Sequence, residues 1–289
     1  MKQHVICKRI ADEAVAALIE EVQLTPKPGL VDTENNGAHH DLSLTKMQNS
    51  AHSLHNTFYQ MAMLSFNRQP TVEIREQFGA IGRNGEKEMF AVTENSNTHK
   101  GAIWSIGLLC SAVARRQGKV LFPQVFNDAA ELANLPDQYI PKSKTNGIKV
   151  KENYGIPGAR EEAQQAFPHI QKYSLPAFVQ AAQKMSLRDA KLTTLLVLIA
   201  NLNDTCLLHR GGLEGLELAK QEAKKLLTNF SISNMKKLDE LYIKHWLSPG
   251  GSADLLAATL FVINMSDKLK RGAQHGKVEL HISGKSSGY

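Results

Sequence analysis

A chain of 289 residues with 42% hydrophobic and 21% charged side chains has the composition of a folded globular protein and the length to bury a sizeable core, which excludes a disordered chain. The formal net charge of +6 fits a lysine-rich solvated surface or an anionic partner, and the longest basic clusters, Lys236-Lys237 and Arg115-Arg116, are too short for a nucleic-acid arm. No apolar run approaches the roughly 18 residues of a membrane helix. Met1 to Arg9 lacks the apolar core of a signal peptide, and Cys7, Cys110 and Cys206 lie far apart, so the expected location is cytoplasmic, with no disulfide framework and no zinc site.

Taken in order, the periodicity predicts helices almost everywhere. Residues 5–23 carry an apolar face of Val5, Ala11, Val15, Leu18, Ile19 and Val22, and Thr25-Pro26-Lys27-Pro28-Gly29 ends it. A loop over 30–44 precedes helices at 46–66 and 71–93. Asn97 or Thr98 caps a helix over 99–117, and a shorter one covers 123–134. Residues 135–160 read as loop-rich, and helices resume at 159–167, 174–184 and 187–206. His209-Arg210-Gly211-Gly212 reads as a tight junction before helices at 213–228 and 234–246. Ser248 as N-cap and Pro249 in the first turn open a last helix to about 269, and the tail from Gly276 alternates like an extended arm. The expected architecture is all-α: one domain of about ten helices spanning 1–289, without repeats or linkers.

Four polar, glycine-bearing junctions stand out: 25–41, 95–100, 203–212 and 248–254. Each sets Lys, Arg, Asp or His beside glycine or at a helix end, where free N–H groups and the helix dipole favour phosphate. Neither a Walker loop nor a dinucleotide-binding glycine pattern is present. Each junction also has a structural explanation. Lys27 fits a rigid exposed turn, His209 to Gly212 a helix C-cap, and Asp32, Asp41, Asp204 and Asp254 caps or turn formers. His39, His40, His52 and His55 suit scattered polar roles better than a zinc cluster. The residues alone point to a helical protein that binds something anionic.

Several segments resemble the triphosphoribosyl-dephospho-coenzyme A synthase family, which serves citrate lyase and malonate decarboxylase. They are Leu24-Thr-Pro-Lys-Pro-Gly-Leu-Val-Asp32, Asn35-Asn-Gly-Ala-His39 with Asp41, Asn97-Thr-His-Lys-Gly-Ala-Ile-Trp104, Tyr154-Gly with Gly158-Ala-Arg160 and Glu162, His209-Arg-Gly-Gly212, and Leu247-Ser-Pro-Gly-Gly-Ser-Ala-Asp-Leu-Leu-Ala257. They follow the family's order over residues 5–270. Departures fall at Glu94, Asn146, Lys151, Glu161 and Cys206.

The resemblance implies transfer of the triphosphoribosyl group of ATP to the 2′-hydroxyl of 3′-dephospho-coenzyme A with loss of adenine. Such a transfer passes through an oxocarbenium-like state that a carboxylate stabilises, while another group takes the hydroxyl proton. The catalytic candidates are Asp32, Asp41 and Asp204, with His39 or His99 protonating adenine. Lys27, Lys100, Arg160 and Arg210 are assigned to the triphosphate, with Asn36, Asn97, Glu162, His209, Gly211, Gly250 and Ser252 as further substrate contacts. Mg²⁺ is expected on Asp32, Glu88, Asp204 or Asp254.

Two rival readings are a metal-dependent phosphohydrolase built on His39-His40-Asp41 and Asp204, and a basic nucleic-acid-binding module. Citrate lyase is the preferred recipient of the product over malonate decarboxylase. No nucleic-acid or membrane partner is expected, and a homodimer through an apolar helix face stays open.

Overall fold

The apolar stripes become helices in the computed structural model, which describes residues 1–141 and 146–266. The α-helices are α1 (Lys2–Gln23), α2 (Leu44–Ser53), α3 (His55–Ser65), α4 (Val72–Val92), α5 (Lys100–Arg115), α6 (Gln124–Asn134), α7 (Asn146–Tyr154), α8 (Ala159–Gln164), α9 (Leu175–Ala182), α10 (Leu187–Asn201), α11 (Thr205–Thr228), α12 (Ile232–Lys244) and α13 (Gly250–Met265). No strand occurs among the described residues, in agreement with the all-α expectation. The extended arm expected from Gly276 lies outside them.

Two helices are apolar all round and therefore central. α5 buries Ile103, Ile106, Leu109 and Val113, and α13 buries Leu256, Leu260, Phe261 and Ile263. α1, α3, α6 and α10 pack about this pair, and the buried apolar side chains form one continuous cluster. No single described helix is long and apolar enough to cross a membrane.

Local chemistry explains where the helices differ from the sequence pattern. The stretch 46–66 divides at Leu54, where the Ser53 hydroxyl donates back to the Ser50 carbonyl (2.8 Å) and competes with the helical ladder. A π-helical segment, Ile170–Ser174, precedes α9, whose second residue, Pro176, has no N–H to continue an α-helical ladder. The loop-rich stretch 135–160 also carries the short helix α7. The His209 to Gly212 junction is a kink inside α11, and Gly212 supplies it with φ 60° and ψ −160°.

Buried carboxylates tie the polar loops to this frame. Asp239 of α12 accepts the Gly29 N–H (2.8 Å) and the Asn35 side-chain amide (2.9 Å), which anchors the loop after α1. Gly29 is obligatory there: its φ is +67°, and a Cβ would lie 2.1 Å from the Leu247 carbonyl oxygen. Asp204 is completely buried and caps two helices at once. It accepts the N–H of Cys206 at the start of α11 (2.8 Å), and the N–H groups of Gly251 (3.2 Å) and Ser252 (2.8 Å) in the first turn of α13. The Ser252 hydroxyl adds a fourth bond (2.9 Å). Ser248, expected as the N-cap of α13, is displaced from that duty by Asp204 acting across space. Asp204→Ala strands the buried Ser252 N–H and hydroxyl and uncaps two helix starts, so it should lower the unfolding free energy by about 3 kcal/mol, read by urea denaturation.

Candidate active site

One cleft of about 1220 Å³ runs across the end of the bundle where the polar loops meet. The N-terminal residues of α5, α8, α11 and α13 all open on it. Of the residues proposed from sequence, the cleft brings together Lys27, His39, Asp41, Asn97, His99, Lys100, Arg160, Glu162, His209, Arg210, Gly250 and Asp254.

The others lie elsewhere, and each has a physical reason. Asp32 is buried behind the wall, with both oxygens engaged. They accept from the Thr25 hydroxyl (2.9 Å) and from the N–H groups of Lys27 (2.9 Å), Glu34 (2.7 Å) and Asn35 (3.1 Å). Asp204 and Ser252 are engaged in the double cap, outside the cleft lining. Gly211 packs on the Leu247 side chain, whose methyl would have to shift to admit a Cβ. Asn36 is exposed away from the cleft. Glu88 is also exposed, while Glu86, two residues away and so on another face of α4, lines the cleft.

The floor is unusually charged for its burial. Lys27 is 1% exposed, not the exposed turn that its flanking prolines suggest, and its ammonium meets Glu21 at 2.6 Å. Burial raises the Glu21 pKa against the pull of Lys27. Asp254 sits against Gly101 in the first turn of α5, where a Cβ would fall 2.0 Å from its Oδ2. Burial and repulsion from Glu21 and Asp204 hold its pKa well above the usual carboxylate range. His99 closes the floor. It is 2% exposed, its Nδ1 lies 2.8 Å from the Ser50 hydroxyl, and its Nε2 has no protein partner. Burial and Lys27 lower its pKa to about 3, so the ring is neutral.

The rim carries the accessible cations. Lys100 meets Glu86 at 2.7 Å, and Asn97 Oδ1 accepts the Lys100 N–H (3.4 Å), the capping contact expected of it. Arg210 donates to the Ala38 carbonyl (2.7 Å) and to His39 Nδ1 (2.9 Å). That fixes the His39 tautomer: its Nε2–H donates to the Ser248 hydroxyl (2.8 Å). Burial, then Arg210, pushes the His39 pKa down to about 4, so it orients the guanidinium as a neutral ring. Arg160 and His209 are exposed, and Glu162 accepts from the N–H and Nδ1 of His169.

The helix ends converge, but their N–H groups are largely taken by protein carboxylates. Side-chain cations must therefore do most of the anion binding. Among the described residues no three His, Cys, Asp or Glu side chains gather as a metal site. His40, part of the phosphohydrolase reading, instead sets its ring edge-on to Trp246 at 4.5 Å. Sequence reasoning missed Glu21, Ser50, Glu86 and Trp104. Glu21 and Ser50 were detectable as polar residues on the apolar stripes of α1 and α2.

A helical bundle with a large cleft that joins rim cations to an acid–base floor is the architecture of a polyanion-binding enzyme. Comparison with known proteins narrows this class. Residues 7–273 match the family model CitG, ATP:dephospho-CoA triphosphoribosyl transferase. A relative from Klebsiella pneumoniae, named 2-(5''-triphosphoribosyl)-3'-dephosphocoenzyme-A synthase, is 43% identical over 260 residues, covering 88% of this chain and 93% of that protein. Relatives given the same name, qualified as probable, come from Pseudomonas fluorescens (42% identical, covering 93% of this chain and 96% of that protein) and Azotobacter vinelandii (41%, covering 91% and 94%). No solved structure matches. The chain belongs to the ATP:dephospho-CoA triphosphoribosyl transferase family.

The Asp254 shift has a measurable consequence. A carboxyl whose pKa is raised by folding keeps its proton where the unfolded chain has lost it, so its contribution to stability is present below the unfolded value of about 3.9 and is lost as pH rises through the folded value. Asp254→Asn should therefore melt above the parent at pH 8, with the gap closing toward pH 4, in thermal unfolding followed by circular dichroism.

Proposed function

We propose that this chain transfers the 5-triphosphoribosyl group of ATP to the 2′-hydroxyl of 3′-dephospho-coenzyme A and releases adenine. The observation that carries the reading is the pairing, in one cleft, of rim cations with buried acid–base groups. A volume of about 1220 Å³ also exceeds the roughly 300–1,000 Å³ of a single small-ligand site, which leaves room for two nucleotides.

In this reading Lys100, Arg160, His209 and Arg210 neutralise phosphates, and Asn97 and Gly250 line their path. Lys27 is held to Glu21 and charges the floor rather than gripping a phosphate. Asp254 faces the sugar. Its ionised form is costly in the empty cleft and becomes favourable when positive charge develops beside it, so it binds the oxocarbenium-like state better than the ground state.

Mg²⁺ needs only one or two protein carboxylates beside phosphate oxygens. Asp41, exposed at the rim, fits that requirement, while Asp254 is committed to the sugar and Asp32, Glu88 and Asp204 do not reach the cleft. The ion would neutralise phosphate charge there.

The reaction belongs to the cytoplasm, where ATP is available. We assign the product to the citrate lyase acyl carrier protein. Malonate decarboxylase uses the same product, and the genes beside this one distinguish the two.

Incubation with ATP, Mg²⁺ and dephospho-coenzyme A should yield free adenine and the joined product by mass spectrometry. Release of ADP or phosphate instead would contradict the reading. Lys100→Ala should raise the KM for ATP by about tenfold or more, the equivalent of one charged hydrogen bond, with kcat changed far less.

A further inference from the structure

We propose that Thr98, Ser50 and His99 form a proton relay with both ends in the cleft, carrying the proton of the attacking hydroxyl to the departing adenine. The inference rests on the transferase reading above and assigns its proton transfers.

The geometry is continuous. The Ser50 Oγ lies 2.6 Å from Thr98 Oγ1 and 2.8 Å from His99 Nδ1. Ser50 is fully buried in α2, which has no residue of its own in the cleft beyond Met47. Thr98 and His99 both line the cleft, and they are adjacent in the chain just before α5. His99 Nε2 is buried without a protein partner, which costs free energy in the empty enzyme and is relieved by a ligand. His39 offers no comparable group, because both of its nitrogens are already bonded.

Three groups in this order can hold their protons in two ways. In the first, Thr98 donates to Ser50, Ser50 donates to His99 Nδ1, and Nε2–H is the enclosed, unpartnered end of the chain at the cleft wall. In the second, Nδ1–H donates to Ser50, Ser50 donates to Thr98, and Nε2 offers a lone pair.

The reaction converts one arrangement into the other. The C1′–N9 bond of ATP breaks, and its electron pair stays on adenine. The oxygen of the 2′-hydroxyl bonds to C1′ and yields its proton to Thr98 Oγ1. Thr98 passes its own proton to Ser50, Ser50 passes its proton to Nδ1, and Nε2–H protonates adenine. Every group is neutral before and after. As adenine leaves, the water that replaces it protonates Nε2, and water at Thr98 accepts the surplus proton, which restores the first arrangement. The neutrality of His99, held by burial and by Lys27, suits this path, since neither arrangement needs an imidazolium.

Ser50 touches no substrate in this scheme and acts through its two neighbours. The test is steady-state kinetics on the full chain in mixtures of H₂O and D₂O. Ser50→Ala should lower kcat by about 10²- to 10⁴-fold, the range of general acid–base catalysis, while the KM values for ATP and dephospho-coenzyme A hold. The parent should give a bowed dependence of kcat on deuterium fraction, the mark of several protons in flight, and Ser50→Ala a straight one. Ser50→Thr, which keeps the hydroxyl, should recover both rate and curvature. Thr98→Val, on a half-exposed loop, should also straighten the dependence and serves if Ser50→Ala does not fold. A parental kcat in Ser50→Ala, or a lowered kcat with the parental curve shape in either variant, overturns the relay. Failure of the parent to release adenine would sink the reaction assignment itself.

Discussion

Two carboxylates hold the cleft open by joining helix ends that would otherwise have no reason to meet. Asp204 bonds the first turns of α11 and α13, and Asp254, carried by α13, packs its carboxyl against Gly101 in the first turn of α5. The first N–H groups of a helix lack partners within it, and a dry interior makes that lack expensive. Supplying those partners from a neighbouring helix, together with the Asp254 contact, fixes three helix starts relative to one another. The loops entering those helices, 97–101, 202–206 and 248–251, then face one another across the cleft.

That arrangement decides how an anion is held. A helix start with free N–H groups is a phosphate site. Here protein carboxylates already occupy much of that capacity, so the rim needs Lys100, Arg160 and Arg210. It also explains the charge of the floor. Glu21 and Lys27 are enclosed together beside the half-buried Asp254, and opposite charge compensates only part of their loss of water. A fold optimised for stability alone would place apolar residues there. The unfavourable carboxyl is useful when the ligand that arrives develops positive charge.

The helical class, most helix limits and the loops that form the cleft were legible in the sequence, because apolar periodicity and glycine–proline punctuation are local signals. Which side of a wall a side chain occupies is not local. Asp32 and Asp204 have the composition and setting of catalytic carboxylates, yet Asp32 is consumed by N–H groups of its own turn, and Asp204 by Cys206 and by the start of a helix that only the tertiary fold brings near. Glu88 and Glu86 differ by two positions on one helix, and without knowing which face of α4 meets the cleft the choice between them was arbitrary. Glu21 and Ser50 carried the opposite signal, being polar residues on stripes that pack inward. A polar group in such a position must find a partner, and in both cases the partner belongs to the site. Lys27 shows the limit of turn chemistry: its flanking prolines describe the bend and say nothing of its burial.

The account stands on one cleft that holds both substrates, with the sugar over the acid–base floor. The most direct measurement is a crystal structure with dephospho-coenzyme A and a carbon-linked ATP analogue whose base cannot leave. The account predicts phosphates against Lys100, Arg160 and Arg210, the sugar carbon beside Asp254, and the analogue's base within hydrogen-bonding reach of His99 Nε2. Phosphates bound on another face of the bundle, or a base remote from His99, would contradict it.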